Sequence, residues 1–136
     1  MFLRLQCGEI QQCVTYTPQS ICTLKGSTVV MSCSYTYPRG TVTSTFWFTK
    51  NDAKGNPVSL SDDPDYQARV RYHKDNKNDC TLRITDLRES DAATYKFKTV
   101  NAEWGYTFSG TTLSVTGSTA LCVYCIFYTL RKKGAM

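Results

Sequence analysis

The chain has 136 residues, of which 41% are hydrophobic and 12% aromatic, and its formal net charge is +5 at pH 7. This length accommodates one domain of about 100 residues with short ends. The charge is dispersed, because residues 14–117 hold 12 Lys and Arg against 10 Asp and Glu, and the rest of the excess lies nearer the termini. A mixed surface of this kind argues against nucleic-acid binding.

Short apolar runs separated by Ser, Thr, Gly and Pro predict an all-β domain. Residues 1–13 are left unassigned, since Met1-Phe2-Leu3-Arg4-Leu5 is shorter than the apolar core of a signal peptide. A first edge strand is expected at 14–18, and 22–25 would continue it. Further strands are predicted at 28–35, 43–50, 58–60, 68–73, 80–84 and 106–115. One more strand follows a corner at 86–91 and runs to about 101.

Seven cysteines lie at positions 7, 13, 22, 33, 80, 122 and 125. An odd number cannot close completely into disulfides within one chain. Only Cys33 and Cys80 fall within strong strand patterns, which predicts a structural bridge between them and an oxidising compartment. Two free buried thiols are the alternative. Cys122-Val-Tyr-Cys125 has the spacing of a redox or zinc motif, but no second pair and no flanking His completes a metal site.

Residues 118–136 form a tail that is apolar and then basic. As a helix, Thr119 to Leu130 would rise about 18 Å, short of the roughly 30 Å hydrocarbon core of a bilayer. The basic end is nevertheless typical of a stop-transfer sequence. Three interpretations stay open: a truncated membrane anchor, an artefactual read-through tail, and a folded or interfacial segment.

The stretch Asp91-Ala92-Ala93-Thr94-Tyr95-Lys96-Phe97-Lys98 resembles the corner and first half of strand F in an immunoglobulin variable-type domain. In that fold the hydroxyl of Tyr95 bonds back to the corner backbone, and Trp47, 14 residues after Cys33, packs inward over the bridge. Residues 14–117 are therefore predicted to form an all-β, immunoglobulin-like V-set domain, an antiparallel two-sheet sandwich.

Phe97 stands where most such domains carry their second cysteine, so the usual bridge from strand B to strand F is excluded. Strand E neighbours strand B in the same sheet. Facing residues on adjacent antiparallel strands have Cα atoms about 4.5–5.5 Å apart, which brings Cys80 within disulfide range of Cys33. Phe97 would then fill the space of the missing bridge. Arg69 and Asp91 are expected to form a structural ion pair between strand D and the E–F corner.

Four motifs resemble the N-terminal V-set domains of the sialic-acid-binding immunoglobulin-like lectins, the Siglecs and sialoadhesin. Cys33-Ser-Tyr-Thr-Tyr-Pro38 is similar to their Cys-x-Phe/Tyr-x-Tyr-Pro, and Phe46-Trp47-Phe48 to their Tyr-Trp-Phe. Residues 78–86 are similar to their Asn-Cys-Thr-Leu-x-Ile-x-Asp, with an extra Asp79. Tyr95-Lys96-Phe97 stands where they carry Tyr-Phe-Phe.

The resemblance implies a cell-surface or secreted receptor of immune cells that binds a sialylated glycan. In the family an arginine on strand F makes a bidentate bond to the sialic acid carboxylate. Lys98 occupies that position here and supplies charge without the planar fork. Trp104 is the candidate for the family's strand-G aromatic, and Tyr16 is the nearest candidate on the first strand. The outward C–F–G face is expected to include Lys96, Phe46 and Phe48.

Each of these assignments has an alternative. Lys98 could be a solvated strand lysine, Trp104 could cover a core edge, and a neighbouring strand could cover one of the two phenylalanines. A lectin-like receptor module is the leading function, with a sialylated glycan or a cell-surface protein as ligand. An adhesion domain with a protein ligand and no glycan is the alternative. An antigen-receptor variable domain is disfavoured, because the strand-F cysteine and a Gly-x-Gly bulge in strand G are missing.

The sequence predicts neither an enzyme nor a cofactor. It contains no Ser/His/Asp set, no paired-carboxylate site and no glycine-rich phosphate loop.

Overall fold

The computed structural model describes residues 4–7, 13–16, 20–36, 44–73, 79–100 and 105–118. These segments contain two 3-10 turns, at Leu60–Asp62 and Glu89–Asp91, and no α-helix. Their strands are β1 (Arg4–Cys7), β2 (Cys13–Tyr16), β3 (Ser20–Leu24), β4 (Val29–Met31), β5 (Cys33–Thr36), β6 (Ser44–Asn51), β7 (Pro57–Ser59), β8 (Val70–Tyr72), β9 (Leu82–Ile84), β10 (Ala93–Val100) and β11 (Gly105–Thr116).

The strands form two layers. One layer is a five-stranded sheet in the order β3-β11-β10-β6-β7. The other combines the three-stranded groups β4-β9-β8 and β1-β2-β5. These two groups belong together because β4 and β5 are halves of one strand interrupted at Ser32, and a bridge between Ser34 and Asp79 extends the pairing toward β9. The predicted all-β sandwich of two sheets is confirmed.

The first strand of the domain changes layers. β2 pairs antiparallel with β5, whereas β3 pairs parallel with β11 in the opposite layer. The prediction that 22–25 continues one edge strand from 14–18 is therefore wrong. Pro18, which has no backbone N–H to give to a ladder, lies between the two segments in the sequence. β1 falls in the segment that the sequence left unassigned, and it pairs with β2.

Aromatic side chains and one disulfide fill the space between the layers. Cys33 and Cys80 are joined, with Cα atoms 4.8 Å apart, as the sequence predicted. Trp47 Nε1 donates to the carbonyl of Cys80 at 2.7 Å. The ring of Phe97 lies between those of Trp47 and Tyr35, at centroid distances of 5.4 and 5.8 Å. Phe97 thus fills the space that a cross-layer bridge would occupy.

The corner before β10 is held by a buried ion pair. Arg69 Nη1 and Nη2 donate to the two carboxylate oxygens of Asp91 at 2.7 and 2.8 Å, as a bidentate fork. Asp91 also accepts the amide of Arg88, and its carbonyl accepts the Tyr95 hydroxyl at 2.6 Å. Because both charges are desolvated, this set of bonds fixes where β8 begins relative to β10, as expected from the sequence.

Strands β8 and β9 are shorter than predicted. Asp79 Oδ1 accepts the amide of Thr81, so this backbone group is drawn into a local turn and β9 begins only at Leu82. On the neighbouring strand the amides of Arg69 and Val70 bond back to the carbonyl of Tyr66, which delays β8 to Val70.

Gly110 allows close backbone packing at an irregularity in the β10–β11 ladder. The register shifts between Tyr95 and Phe97, and a Cβ added to Gly110 would lie 1.4 Å from the Tyr95 carbonyl oxygen. We expect Gly110→Ala to lower the free energy of unfolding by about 3 kcal/mol, because the backbone itself must move. Gly117→Ala is the control, since its Cβ would meet only the movable Glu89 carboxylate at 3.3 Å. Urea denaturation of both variants checks this, and equal losses would contradict it.

Stability should also fall at alkaline pH because of two buried tyrosines. Burial raises the pKa of Tyr95 and of Tyr66, whose hydroxyls lie 3.0 Å apart. A pKa raised on folding gives stability that is complete below the unfolded value of about 10 and is lost as pH rises above it. For Tyr95 the loss approaches about 1.4 kcal/mol per pH unit, and Tyr66 adds to it in the same direction.

Tyr95→Phe should therefore be less stable than wild type at pH 8 but lose stability more slowly above pH 10. Denaturant unfolding at several pH values between 8 and 11.5 measures both slopes. Parallel pH profiles for the two proteins would show that Tyr95 does not carry the effect.

Candidate functional site

Two lysines project from the central strand of the five-stranded sheet. Along β10, Tyr95, Phe97 and Thr99 are buried, so Lys96 and Lys98 lie on the opposite, outward side. Lys98 pairs in register with Phe46 on β6 and with Thr107 on β11. Its side chain is half-buried, and it makes no ion pair with an acidic residue in the described part of the chain. Lys98 therefore lies between Phe46 and Thr107, and its ammonium is available to a ligand.

Lys96 has a different environment from Lys98. It pairs in register with Phe48, and its Nζ lies 5.9 Å from the centroid of that ring, a cation–π contact. Phe48 is only 5% exposed, although it is not part of the contiguous core cluster. The expectation that Phe48 offers an exposed ring to a partner is wrong, because Lys96 lies over the ring and β7 pairs alongside Phe48 through Ser59.

Phe46 remains as the accessible aromatic beside Lys98. It is half-buried, and its ring centroid lies 6.0 Å from that of Phe48. The covered ring thus supports the accessible one from the side. The C–F–G face, as we use the term, is the outward surface of β6, β10 and β11, formed by Phe46, Phe48, Thr94, Lys96, Lys98, Thr107 and Thr112.

Hydroxyl groups on this face were not singled out in the sequence. Thr94 and Thr112 pair across β10 and β11, both are exposed, and their Oγ1 atoms lie 3.1 Å apart. Thr107 is exposed next to Lys98. The alternation of the two strands is the signal that could have found them. Their presence makes the β10–β11 side of the C–F–G face polar, whereas the β6 side is aromatic.

The two other aromatic candidates are Trp104 and Tyr16. Trp104 lies outside the described residues, as does the tail at 119–136. The backbone of Tyr16 belongs to β2, which pairs with β5 in the opposite layer rather than with β11. Among the described residues, the C–F–G face is therefore built from β6, β10 and β11.

The described residues offer little else that is chemically specialised. Within them, no group of three His, Cys, Asp or Glu side chains is arranged to hold a metal ion. No helix in these segments has the length and apolar character needed to cross a membrane. What the arrangement can do is bind: two lysines, one partly open ring and several hydroxyls share one surface.

Comparison with known proteins defines the class. Residues 16–116 match the family model of the immunoglobulin V-set domain, and the chain belongs to that family. Domains of this family are in general non-enzymatic.

Curated relatives include Sialic acid-binding Ig-like lectin 12 of Pan troglodytes and of Homo sapiens, each 33% identical over 137 residues. The alignment covers 84% of this chain and 22% of each relative, so the chain spans about a fifth of their length. The resemblance to Siglec V-set domains that the motifs indicated is thus confirmed.

Solved structures agree on the fold. The structure of murine CRIg has a TM-score of 0.56 and 18% sequence identity, and the alignment covers 76% of this chain and 98% of that one. A marsupial T cell receptor has a TM-score of 0.60 and 23% identity over 79% of this chain and 54% of its own. At these identities the likeness concerns the fold alone.

The different burial of the two phenylalanines gives a direct test of the site's construction. We expect Phe48→Ala to reduce the free energy of unfolding by about 3 kcal/mol, as for a buried ring, and Phe46→Ala by about 1 kcal/mol. The pair is matched, since both residues lie on the outward side of β6. Urea denaturation midpoints measure the difference. A larger loss for Phe46→Ala would show that the covered and accessible rings have been assigned the wrong way round.

Proposed function

We propose that this chain is the recognition module of a cell-surface immune receptor and that its C–F–G face binds a sialylated glycan through Lys98. The observation that carries the proposal is a lysine on the outward side of β10, beside Phe46 and Thr107, that forms no ion pair with a described acidic residue. The similarity to a sialic acid-binding lectin supports it. The Cys33–Cys80 disulfide is consistent with an extracellular location.

The chemistry of each side chain suits one part of such a ligand. The Lys98 ammonium provides a charge-assisted hydrogen bond to the sialic acid carboxylate. The open part of the Phe46 ring can cover the apolar side of a sugar, and the Thr107 hydroxyl can donate to or accept from its hydroxyls. Lys96 lies over Phe48 and so supports the aromatic side of the face.

Binding of one glycan should be weak. An ammonium is a point donor and cannot form the two parallel bonds that a guanidinium gives to a carboxylate. The missing bond corresponds to about 1.5–3 kcal/mol, a tenfold to hundredfold loss of affinity relative to an arginine at this position. Several copies acting together on a cell surface would offset this loss.

Replacing Lys98 by arginine should therefore strengthen sialoside binding, and replacing it by alanine should abolish it. The measurement is a glycan array probed with clustered protein, comparing wild type, Lys98→Arg and Lys98→Ala. Lys96→Ala is the matched control on the same strand and face. It should weaken binding less than Lys98→Ala, because its ammonium is already engaged by Phe48.

The same array separates the proposal from its alternative. Equal sialoside signals from all Lys98 variants would show that Lys98 is not the carboxylate anchor. Silence from every form, including Lys98→Arg, would favour an adhesion domain that uses this face for a protein ligand without any glycan.

A further inference from the structure

A pair of arginines lies on the outward surface of the other layer. Arg71 on β8 and Arg83 on β9 are direct partners in the antiparallel ladder, and both are exposed. The residue pairs on either side of them are hydrogen-bonded. The Thr85 amide donates to the Arg69 carbonyl, and the His73 amide donates to the Thr81 carbonyl, each at 2.9 Å. Since hydrogen-bonded pairs recur every second residue, the two arginines form such a pair, with Cα atoms about 5.5 Å apart.

This arrangement is unfavourable for the fold alone. Like charges directly opposite each other on neighbouring strands destabilise a sheet. Neither arginine forms an ion pair with an acidic residue in the described segments, where the ion pairs are Lys50–Asp63 and Arg69–Asp91. Two exposed arginines thus leave the sheet from directly opposite positions, and no described acidic residue compensates their charge.

The surroundings of the pair are mostly polar. We call this surface the B–E–D face: the outward side of β4, β9 and β8 with its flanking residues, formed by Val30, Ser32, Arg71, His73, Asp79, Thr81 and Arg83. Val30 extends the arginine row across β4 and is 46% exposed. Asp79, the acidic residue of this face, already accepts the Thr81 amide.

These features point to a polar, anionic and extended ligand. A protein interface would need an apolar core, often with aromatic residues, and Val30 is the one exposed large apolar side chain among the described residues. Guanidinium forks match oxyanions that present two oxygens, and two adjacent forks match a ligand that carries successive anionic groups. Neighbouring hydroxyls can complete the contacts to a sugar chain.

We propose that the B–E–D face binds a sulfated polysaccharide, with Arg71 and Arg83 each holding one of two neighbouring sulfate groups. This face is on the opposite side of the sandwich from Lys98, so the proposal does not depend on sialoside binding. The domain would then contact two kinds of glycan on its two sides.

The test measures retention of the full chain on immobilised heparin along a salt gradient. We expect Arg71→Ala combined with Arg83→Ala to weaken binding at least about tenfold. The control is Lys25→Ala combined with Lys54→Ala, which removes the same net charge from exposed positions elsewhere. It should reduce retention only slightly. Equal losses in the two double variants would overturn the proposal, because binding would then follow net charge alone.

Three further measurements define the ligand and the cost to the fold. Desulfated heparin should not be retained, and poly-glutamate should bind much more weakly than heparin. Equal retention of poly-glutamate would overturn the sulfate assignment in favour of an acidic protein segment. Arg83→Thr should raise the unfolding midpoint by about one to four degrees, since it removes the like-charge opposition. A lower midpoint would show that the pair stabilises the sheet and is there for structural reasons.

Discussion

The sandwich depends on how its two layers are joined at Trp47. The disulfide links Cys33 to Cys80 within one layer, so it does not hold the layers together. The layers are joined instead by Trp47, whose ring packs against Phe97 in its own layer and whose Nε1 donates to the Cys80 carbonyl in the other layer. The Tyr72 hydroxyl, 3.3 Å from the Trp47 amide, adds a second polar link between the layers. Packing and hydrogen bonds thus replace a covalent cross-link.

The disulfide therefore stabilises the fold differently from the usual bridge between strands B and F, which joins the two layers. It closes a separation of 47 residues and, by restricting the unfolded chain, contributes about 4 kcal/mol. It also fixes β5 beside the segment that leads into β9. This pairing sets one side of the B–E–D face, because the register of β4 with β9 places Val30 beside Arg83, whereas the β8–β9 ladder places Arg71 there.

Strand β10 links the core to the C–F–G face. Its inward residues, Tyr95 and Phe97, are locked by the Asp91 corner and by aromatic packing. A strand has a side-chain period of two, so locking the inward set also fixes Lys96 and Lys98 on the outside. The position of Lys98 between Phe46 and Thr107 is therefore a consequence of core packing, and a change in that packing would displace it.

The sequence by itself determined the β class, the Cys33–Cys80 pairing, the inward Trp47 and the Arg69–Asp91 pair. Alternation within single strands determines which of these side chains point inward, and the resemblance to the V-set fold supplies which strands lie side by side. Lys98 could be placed outward for the same reason. Only the tertiary structure decided that Phe48 is covered while Phe46 is not, because this depends on β7 and on the Lys96 side chain reaching over from another strand.

Strand pairing likewise decided three further features: the layer change between β2 and β3, the need for glycine at position 110, and the alignment of Arg71 with Arg83. Residues far apart in sequence are brought together there, and periodicity within one strand carries no information about which strand lies beside it or in what register.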